Sequence, residues 1–210
     1  MLWMLLQGLG ADSIEERERA AREMIERRDE AAARRALTSS DLETRARAAD
    51  VLDAILWASL ERAIPAFLAD QELPSDDVQP LRTPFDLRGA RIFRTGRGWN
   101  RRLLSLRLDR GIRLSEPFSE GMQDFVVDLL RDRRARSDEE RVAVAKDCVA
   151  LMDLFDIEGW TAPGACLPSW PPMASEGTVF WGGMTHRNPG FRADFGTDGR
   201  LLSADFWYRD

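Results

Sequence analysis

The sequence predicts an α+β fold, in which an N-terminal HEAT-like helical hairpin packs with an antiparallel sheet domain that carries two helices. Apolar residues recur at helical spacing up to about residue 70, and apolar side chains alternate at period two in several segments beyond residue 88. The stretch Gly196-Thr197-Asp198-Gly199 is a strong β-hairpin signal near the end of the chain. We therefore divide the chain into a helical segment (1–70), a linker (71–87) and an α+β domain (88–210).

The N-terminal segment contains two helix starts of the capping-box type. Ser13 and Ser40 are each followed three residues later by a glutamate, so that the serine hydroxyl and the carboxylate can satisfy free backbone amides. Helices are predicted at about 13–28, near 30–37 and from Ser40 onward, and Pro65 should kink or restart the last one. The residues predicted on their buried sides are Ile14, Ala21, Met24, Ile25, Leu42, Ala49, Leu52 and Leu56.

The remaining elements follow from turn residues and from changes in hydrophobic period. Pro74, Pro80 and Pro84 identify the linker, and the Pro- and Trp-rich stretch at 159–176 is predicted to be a loop. The predicted strands lie at 91–95, 102–108, 112–114, 178–181, 191–195 and 201–208. We expect Leu104, Leu106 and Leu108 to share one face, as do Leu202, Ala204, Phe206 and Tyr208. Helices are predicted after Ser119 and after Ser137, which begins a third capping box.

Three N-terminal stretches support a family resemblance. GADSIEERERAA at 10–21, ARRAL at 33–37 and SDLETRARAADVL at 40–52 resemble HEAT-like helical repeats of bacterial proteins, over about residues 9–57. The usual Leu-Gly and Pro between the repeat helices are replaced here by Arg27-Arg28-Asp29-Glu30. The resemblance implies an unfinished helical array, because repeats of this kind obtain their core from stacked neighbours. The hairpin is therefore expected to pack on the rest of the chain or on a partner.

Charge is unevenly distributed along the chain. The net charge of the whole chain is −6, but residues 82–113 contain ten arginines and two aspartates, which gives this segment a charge of +8. Such asymmetry indicates either an anionic partner or a basic segment that faces the protein's own acidic helices. The sequence leaves both interpretations open.

The turn between the first two predicted strands is the principal candidate for partner binding. Arg94, Arg97, Arg101 and Arg102 surround Trp99, a combination that offers phosphate donors and a stacking surface. The same residues fit a protein-binding surface, or a solvated turn whose arginines pair with acidic helices of the same chain.

Trp160 and Trp170, in the Pro- and Trp-rich loop, are further candidates for partner binding. The alternative is that these two indoles cover the core beneath a long loop.

Catalytic and metal-binding signals are weak. The only histidine, His186, has no identifiable nucleophile as partner, and Cys148 and Cys166 have no metal-site or disulfide-framework spacing. No phosphate-binding glycine loop, signal-peptide core or membrane-spanning apolar run is recognisable. We therefore expect a cytoplasmic, non-enzymatic adaptor or regulatory protein that binds another protein and needs no cofactor or metal. A nucleic-acid-binding regulator that uses residues 82–113 is the alternative, and a small hydrolase that uses His186 is a weaker one.

Overall fold

The chain has an α+β fold, as the sequence predicts, and it divides into two compact units, Met1–Ile64 and Pro65–Asp210. A computed structural model describes residues 8–83, 85, 87, 89–116, 120–156, 162–169, 171–183 and 189–207, with Trp99 and Glu120 described by their backbone alone. No helix in these ranges is both long enough and apolar enough to cross a bilayer.

The helices and strands lie close to most of the predicted ones. In chain order they are α1 (Ile14–Arg27), α2 (Glu30–Ala36), α3 (Leu42–Asp70), β1 (Gln79–Leu81), β2 (Ala90–Thr95), a 3₁₀ turn (Gly98–Asn100), β3 (Arg102–Arg107), β4 (Gly111–Leu114), α4 (Glu120–Leu130), α5 (Asp138–Asp153), α6 (Pro163–Cys166), β5 (Met173–Ser175), β6 (Thr178–Gly182), β7 (Gly190–Phe195) and β8 (Leu201–Trp207).

The starts of the helices confirm two of the three predicted serine caps. The Ser13 hydroxyl accepts a hydrogen bond from the backbone amide of Glu16 at 3.5 Å, and the Ser137 hydroxyl accepts one from the amide of Glu140 at 3.2 Å. Helix α3 differs, because Asp41 replaces Ser40 as its cap. The Asp41 carboxylate accepts hydrogen bonds from the amide of Thr44 at 2.8 Å and from its hydroxyl at 2.5 Å.

Pro65 does not restart the helix, because α3 continues through it to Asp70. The proline is exposed, whereas Ile64 and Leu68 on either side of it are buried. Burial of these neighbours stabilises the helical backbone where the proline supplies no amide donor.

The helical unit has a small core of its own. Met24, Val51 and Ile55 lie in it together with Leu9 and several alanines. Three residues predicted on the buried side are exposed instead: Ile14 is 56% exposed, Leu42 is 74% exposed, and Ala49 is also exposed. Ile14 and Leu42 are the first residues of α1 and α3, so no preceding turn of either helix covers them.

The α+β unit contains two four-stranded antiparallel sheets, with strand orders β1-β2-β3-β4 and β5-β6-β7-β8. The predicted linker at 71–87 is therefore only partly a linker, because β1 lies within it and pairs with β2. Likewise the predicted loop at 159–176 contains α6 and β5. Three-residue strands and a one-turn helix are too short to give a periodic signal, and main-chain pairing with their neighbours stabilises them.

The core of this unit joins both sheets to α4 and α5. Its buried residues include Leu103 of the first sheet, Val126 of α4, Met152 of α5 and Phe191 of the second sheet. Strand β3 is central in its sheet and is buried on both faces, so the predicted alternation does not hold there. Leu108 lies beyond the end of β3 and is exposed, contrary to the prediction that it shares a face with Leu104 and Leu106.

The β7–β8 hairpin contains a register shift, and as a result Leu202 does not share a face with Ala204 as predicted. Phe195 pairs with Leu201 although Asp194 pairs with Ser203, so Leu202 is an extra residue in β8. Such a bulge shifts the alternation of side chains, and Leu201 becomes buried while Leu202 is 62% exposed. Ala204 remains buried as predicted, and Tyr208 lies outside the described residues.

The Asp194 side chain is hydrogen-bonded to residues on the three longest strands of the second sheet. Its carboxylate accepts hydrogen bonds from Thr178 on β6 at 2.7 Å, from Arg192 on β7 at 3.0 Å and from Ser203 on β8 at 3.1 Å. Burial by itself would raise the pKa of Asp194, but these hydrogen bonds hold that pKa below its ordinary value.

We predict that Asp194→Asn lowers the free energy of unfolding by roughly 1–3 kcal/mol at about pH 7, because hydrogen bonds to a charged acceptor are lost. A lowered pKa means that the contribution of Asp194 is fully present above the ordinary aspartate pKa of about 3.9 and is lost as the pH falls through the lowered value. Urea denaturation across this pH range should therefore show the difference between variant and wild type shrinking in acid.

The control for this experiment is Asp205→Asn, since Asp205 is exposed on the adjacent strand β8. It should change stability by no more than about 0.5 kcal/mol. A deficit in Asp194→Asn that stays constant with pH would contradict the assignment.

Candidate functional site

The base of the predicted basic tip is held by an aspartate of the same chain. Arg94 on β2 and Arg101 just before β3 both donate to Asp156 Oδ2, at 2.8 and 3.1 Å. Asp156 lies three residues beyond the end of α5 and has a positive φ of 44°. Two of the predicted partner-binding arginines are therefore neutralised within the α+β unit.

The other predicted tip residues differ in their surroundings. Arg97 is 85% exposed and its Nε donates to Asp77 at 3.2 Å. Arg102 is half-buried and forms neither a hydrogen bond nor an ion pair with any side chain in the described part of the chain. The backbone of Trp99 lies in the 3₁₀ turn between the two strands. The other two candidates, Trp160 and Trp170, lie outside the described residues.

Arg107 is the last residue of β3, at the end of this strand away from the β2–β3 turn, and it is the centre of a network of ion pairs. This side chain is only 10% exposed, and it donates to Asp132 at 2.9 Å and to Asp109 at 3.1 Å. Burial by itself would lower the pKa of Arg107, but Asp109 and Asp132 raise it above its ordinary value. The guanidinium consequently stays charged, and it links the hairpin to the end of α4.

Two further arginines extend this network. Arg110 donates to Asp132 at 3.0 Å and lies 3.5 Å from Asp128, to which Arg113 also donates. The arginines of residues 82–113 for which the structure gives an ion pair with aspartate are Arg94, Arg97, Arg101, Arg107, Arg110 and Arg113. Much of the positive charge in this segment thus faces the protein's own acidic residues, one of the two arrangements that the sequence left open.

A charged cleft of about 660 Å³ opens beside the tip, within the unit Pro65–Asp210. One wall consists of the β2–β3 turn with Arg97, Asn100 and Arg102, and the other is the segment 71–77 that follows α3. Gly96 shapes the turn, because it has a φ of +78° and a Cβ there would lie 2.6 Å from the Asn100 carbonyl oxygen. A side chain at position 96 would therefore distort this wall.

A second, more apolar surface lies on the helical unit. Arg17 on α1 and Glu43 on α3 form an ion pair at 2.9 Å, so the first turns of the two helices lie side by side. A groove of about 280 Å³ between these helices has Ala21, Ile25 and Val51 in its apolar part. Its charged rim consists of Glu18, Arg22, Arg47 and Asp50. The ion pair joins residues near the starts of both helices, and later residues of both helices line the groove, which indicates that α1 and α3 run in the same direction.

Neither Cys148 nor Cys166 lies in an environment that favours a reactive thiolate. Cys148 is fully buried, and burial raises its pKa far above the ordinary thiol value. Burial also raises the pKa of Cys166, with the carboxylate of Asp153 as a second cause. His186 lies outside the described residues, so the structure adds nothing to the hydrolase alternative.

Comparisons of this chain with models of protein families, with curated proteins and with solved structures give no match.

The sequence does not reveal which acidic residues contribute to these sites. Asp156 reads as one of several carboxylates beside a helix end, and residues 71–77 read as a linker. In the structure Asp156 binds two tip arginines and 71–77 forms a wall of the cleft. The excess of acidic residues outside 82–113 is a signal that these arginines have acidic partners, but it does not say which carboxylates they are.

We predict that Asp132→Asn lowers the free energy of unfolding by roughly 1–3 kcal/mol, because the nearly buried Arg107 loses its charged acceptor in the turn just after α4. The matched control is Asp198→Asn, whose ion pair with Arg200 at 3.1 Å is half-exposed on both sides. That variant should lose at most about 1 kcal/mol. Chemical denaturation of the two variants measures the difference, and equal losses would contradict a special role for the Arg107 network.

Proposed function

We propose that the protein is a non-enzymatic adaptor or regulatory protein, and that its helical unit binds an amphipathic helix of another protein. The observation that carries this proposal is the exposure of Ile14 and Leu42 at the adjacent starts of α1 and α3. Neither residue lines the groove between these helices, but both lie at helix starts that the Arg17–Glu43 ion pair brings side by side, and exposed apolar side chains near such a groove fit an interaction surface. We further propose that this unit is a HEAT-like repeat, in which an added helix completes the array.

The groove between α1 and α3 supports the choice of a helix as ligand. Its apolar part contains the partly exposed Ala21 and Ile25, with the buried Val51 beneath them. A helical ligand places apolar residues three and four apart into such a groove and keeps its polar side in water. The alternating charges on the rim suit a ligand helix that carries both acidic and basic flanking residues.

The charge arrangement at the basic hairpin favours this function over nucleic-acid binding. Arg94 and Arg101 are occupied by Asp156, while Arg107 and Arg110 are occupied by Asp132. A phosphate backbone would have to compete with these carboxylates for the same guanidinium groups. The net charge of −6 also opposes non-specific attraction of a polyanion.

The test is site-specific photo-crosslinking in the native cells. A photoreactive amino acid in place of Arg22, on the rim of the groove, should give one dominant protein adduct, identified by mass spectrometry. The same amino acid in place of the exposed Arg34 on α2, away from the groove, should give none.

Substitutions on the surface should then change the yield of that adduct. Leu42→Glu should reduce it about tenfold or more, because a charge enters the apolar contact. Leu202→Glu is the matched control, since Leu202 is equally an exposed leucine but belongs to the second sheet; it should leave the yield unchanged.

Three outcomes would overturn the proposal. Equal adducts from positions 22 and 34 would mean that the groove has no preference, and an adduct with a second copy of this chain would assign the surface to self-association. Retarded migration of DNA or RNA at low salt, abolished by Arg97→Ala with Arg101→Ala, would favour the nucleic-acid-binding alternative.

A further inference from the structure

The cleft beside the β2–β3 turn contains an arginine, Arg102, for which none of the described residues supplies a counter-ion. Arg102 is half-buried and its Nε is shielded from solvent, yet no described side chain accepts a hydrogen bond from its guanidinium. Its neighbours Arg97 and Arg101 each have an aspartate partner. Only the Nε of Arg102 is shielded from solvent, so its terminal amino groups remain available to a bound anion, which would neutralise the charge.

A second polar group without a partner lies next to Arg102. Thr95 pairs with Arg102 in the β2–β3 register, and its side chain is almost completely buried. The Thr95 hydroxyl also lacks a hydrogen-bond partner among the described residues. Thr95 does not itself line the cleft, but buried polar groups are nearly always hydrogen-bonded, so its hydroxyl is a second unsatisfied group directly beside Arg102.

The opposite wall carries charge of the other sign. Glu72 and Asp76 line the cleft, and neither carboxylate has an ion pair in the described part of the chain. Asp77 on the same wall is already bound to Arg97. A ligand with one negative group meets Arg102 favourably, whereas a multiply charged anion such as phosphate is repelled by the acidic wall.

From this geometry we infer that the cleft binds a small zwitterion of the amino-acid type. Its carboxylate pairs with Arg102, and its cationic group lies towards Glu72 and Asp76. A carboxylate matches the planar fork of a guanidinium, and about 660 Å³ lies within the range of small-molecule sites. This site belongs to the unit Pro65–Asp210 and is independent of the helical groove, so each proposal can fail without the other.

The test is calorimetric titration of the full chain with four probes of known charge. These are ε-aminocaproate as the zwitterion, caproate as the anion alone, hexylamine as the cation alone, and inorganic phosphate. We expect ε-aminocaproate to bind most tightly, with caproate and hexylamine weaker and phosphate weakest. The backbone amides of Gly96, Arg97 and Asn100 should shift in NMR spectra when the zwitterion is added.

Two variants separate a specific site from general attraction. Arg102→Gln should weaken ε-aminocaproate binding about tenfold or more, as expected when a hydrogen bond to a charged group is lost. Arg82→Gln is the matched control, because Arg82 is an exposed arginine that does not line the cleft, and it should bind like wild type. Arg102→Gln should also unfold at the same temperature as the ligand-free wild type or at a higher one, because it removes an uncompensated charge.

The inference is overturned by equal weakening in the two variants, by phosphate binding more tightly than ε-aminocaproate, or by the absence of any binding to wild type. A fall in the unfolding temperature of Arg102→Gln would also overturn it, since Arg102 would then have a structural partner of its own.

Discussion

The α+β unit depends on the pairing of Arg107 with Asp132 and Asp109. Arg107 lies on the central strand of the first sheet with its guanidinium almost out of solvent, and that position is stable only if carboxylates accompany the charge. The Asp132 carboxylate comes from the turn just after α4, and it also binds Arg110. These ion pairs fix the position of the β3–β4 hairpin relative to α4. The first sheet is therefore oriented by charge as well as by its apolar face.

Ion pairing with aspartates also determines which arginines of the basic tip remain available to a ligand. Asp156 occupies Arg94 and Arg101, so the basic tip predicted from the sequence is reduced to Arg97 and Arg102. Only Arg102 lines the cleft without an acidic partner among the described residues. A segment that looks like a broad polyanion site in the sequence is thus largely neutralised after folding.

The helical unit differs from the α+β unit in the chemistry of its surface. Its small core is built largely from alanines around Met24 and Ile55, and Ile14 and Leu42 are left exposed at one end. Recognition there would be apolar and would follow the helix direction, whereas recognition in the cleft would be governed by charge. The two proposed kinds of recognition therefore belong to separate units of the chain.

By itself the sequence determined the α+β class, most element positions and two of the helix caps, because helix periodicity, serine capping and the Gly196–Gly199 turn are local properties. The tertiary structure decided the rest. Pairing within sheets created β1 and β5, a bulge exposed Leu202, and folding brought Asp156 and Asp132 to the arginines of the hairpin. These outcomes depend on main-chain partners and on charges distant in sequence, and no local pattern records which partner will be nearest.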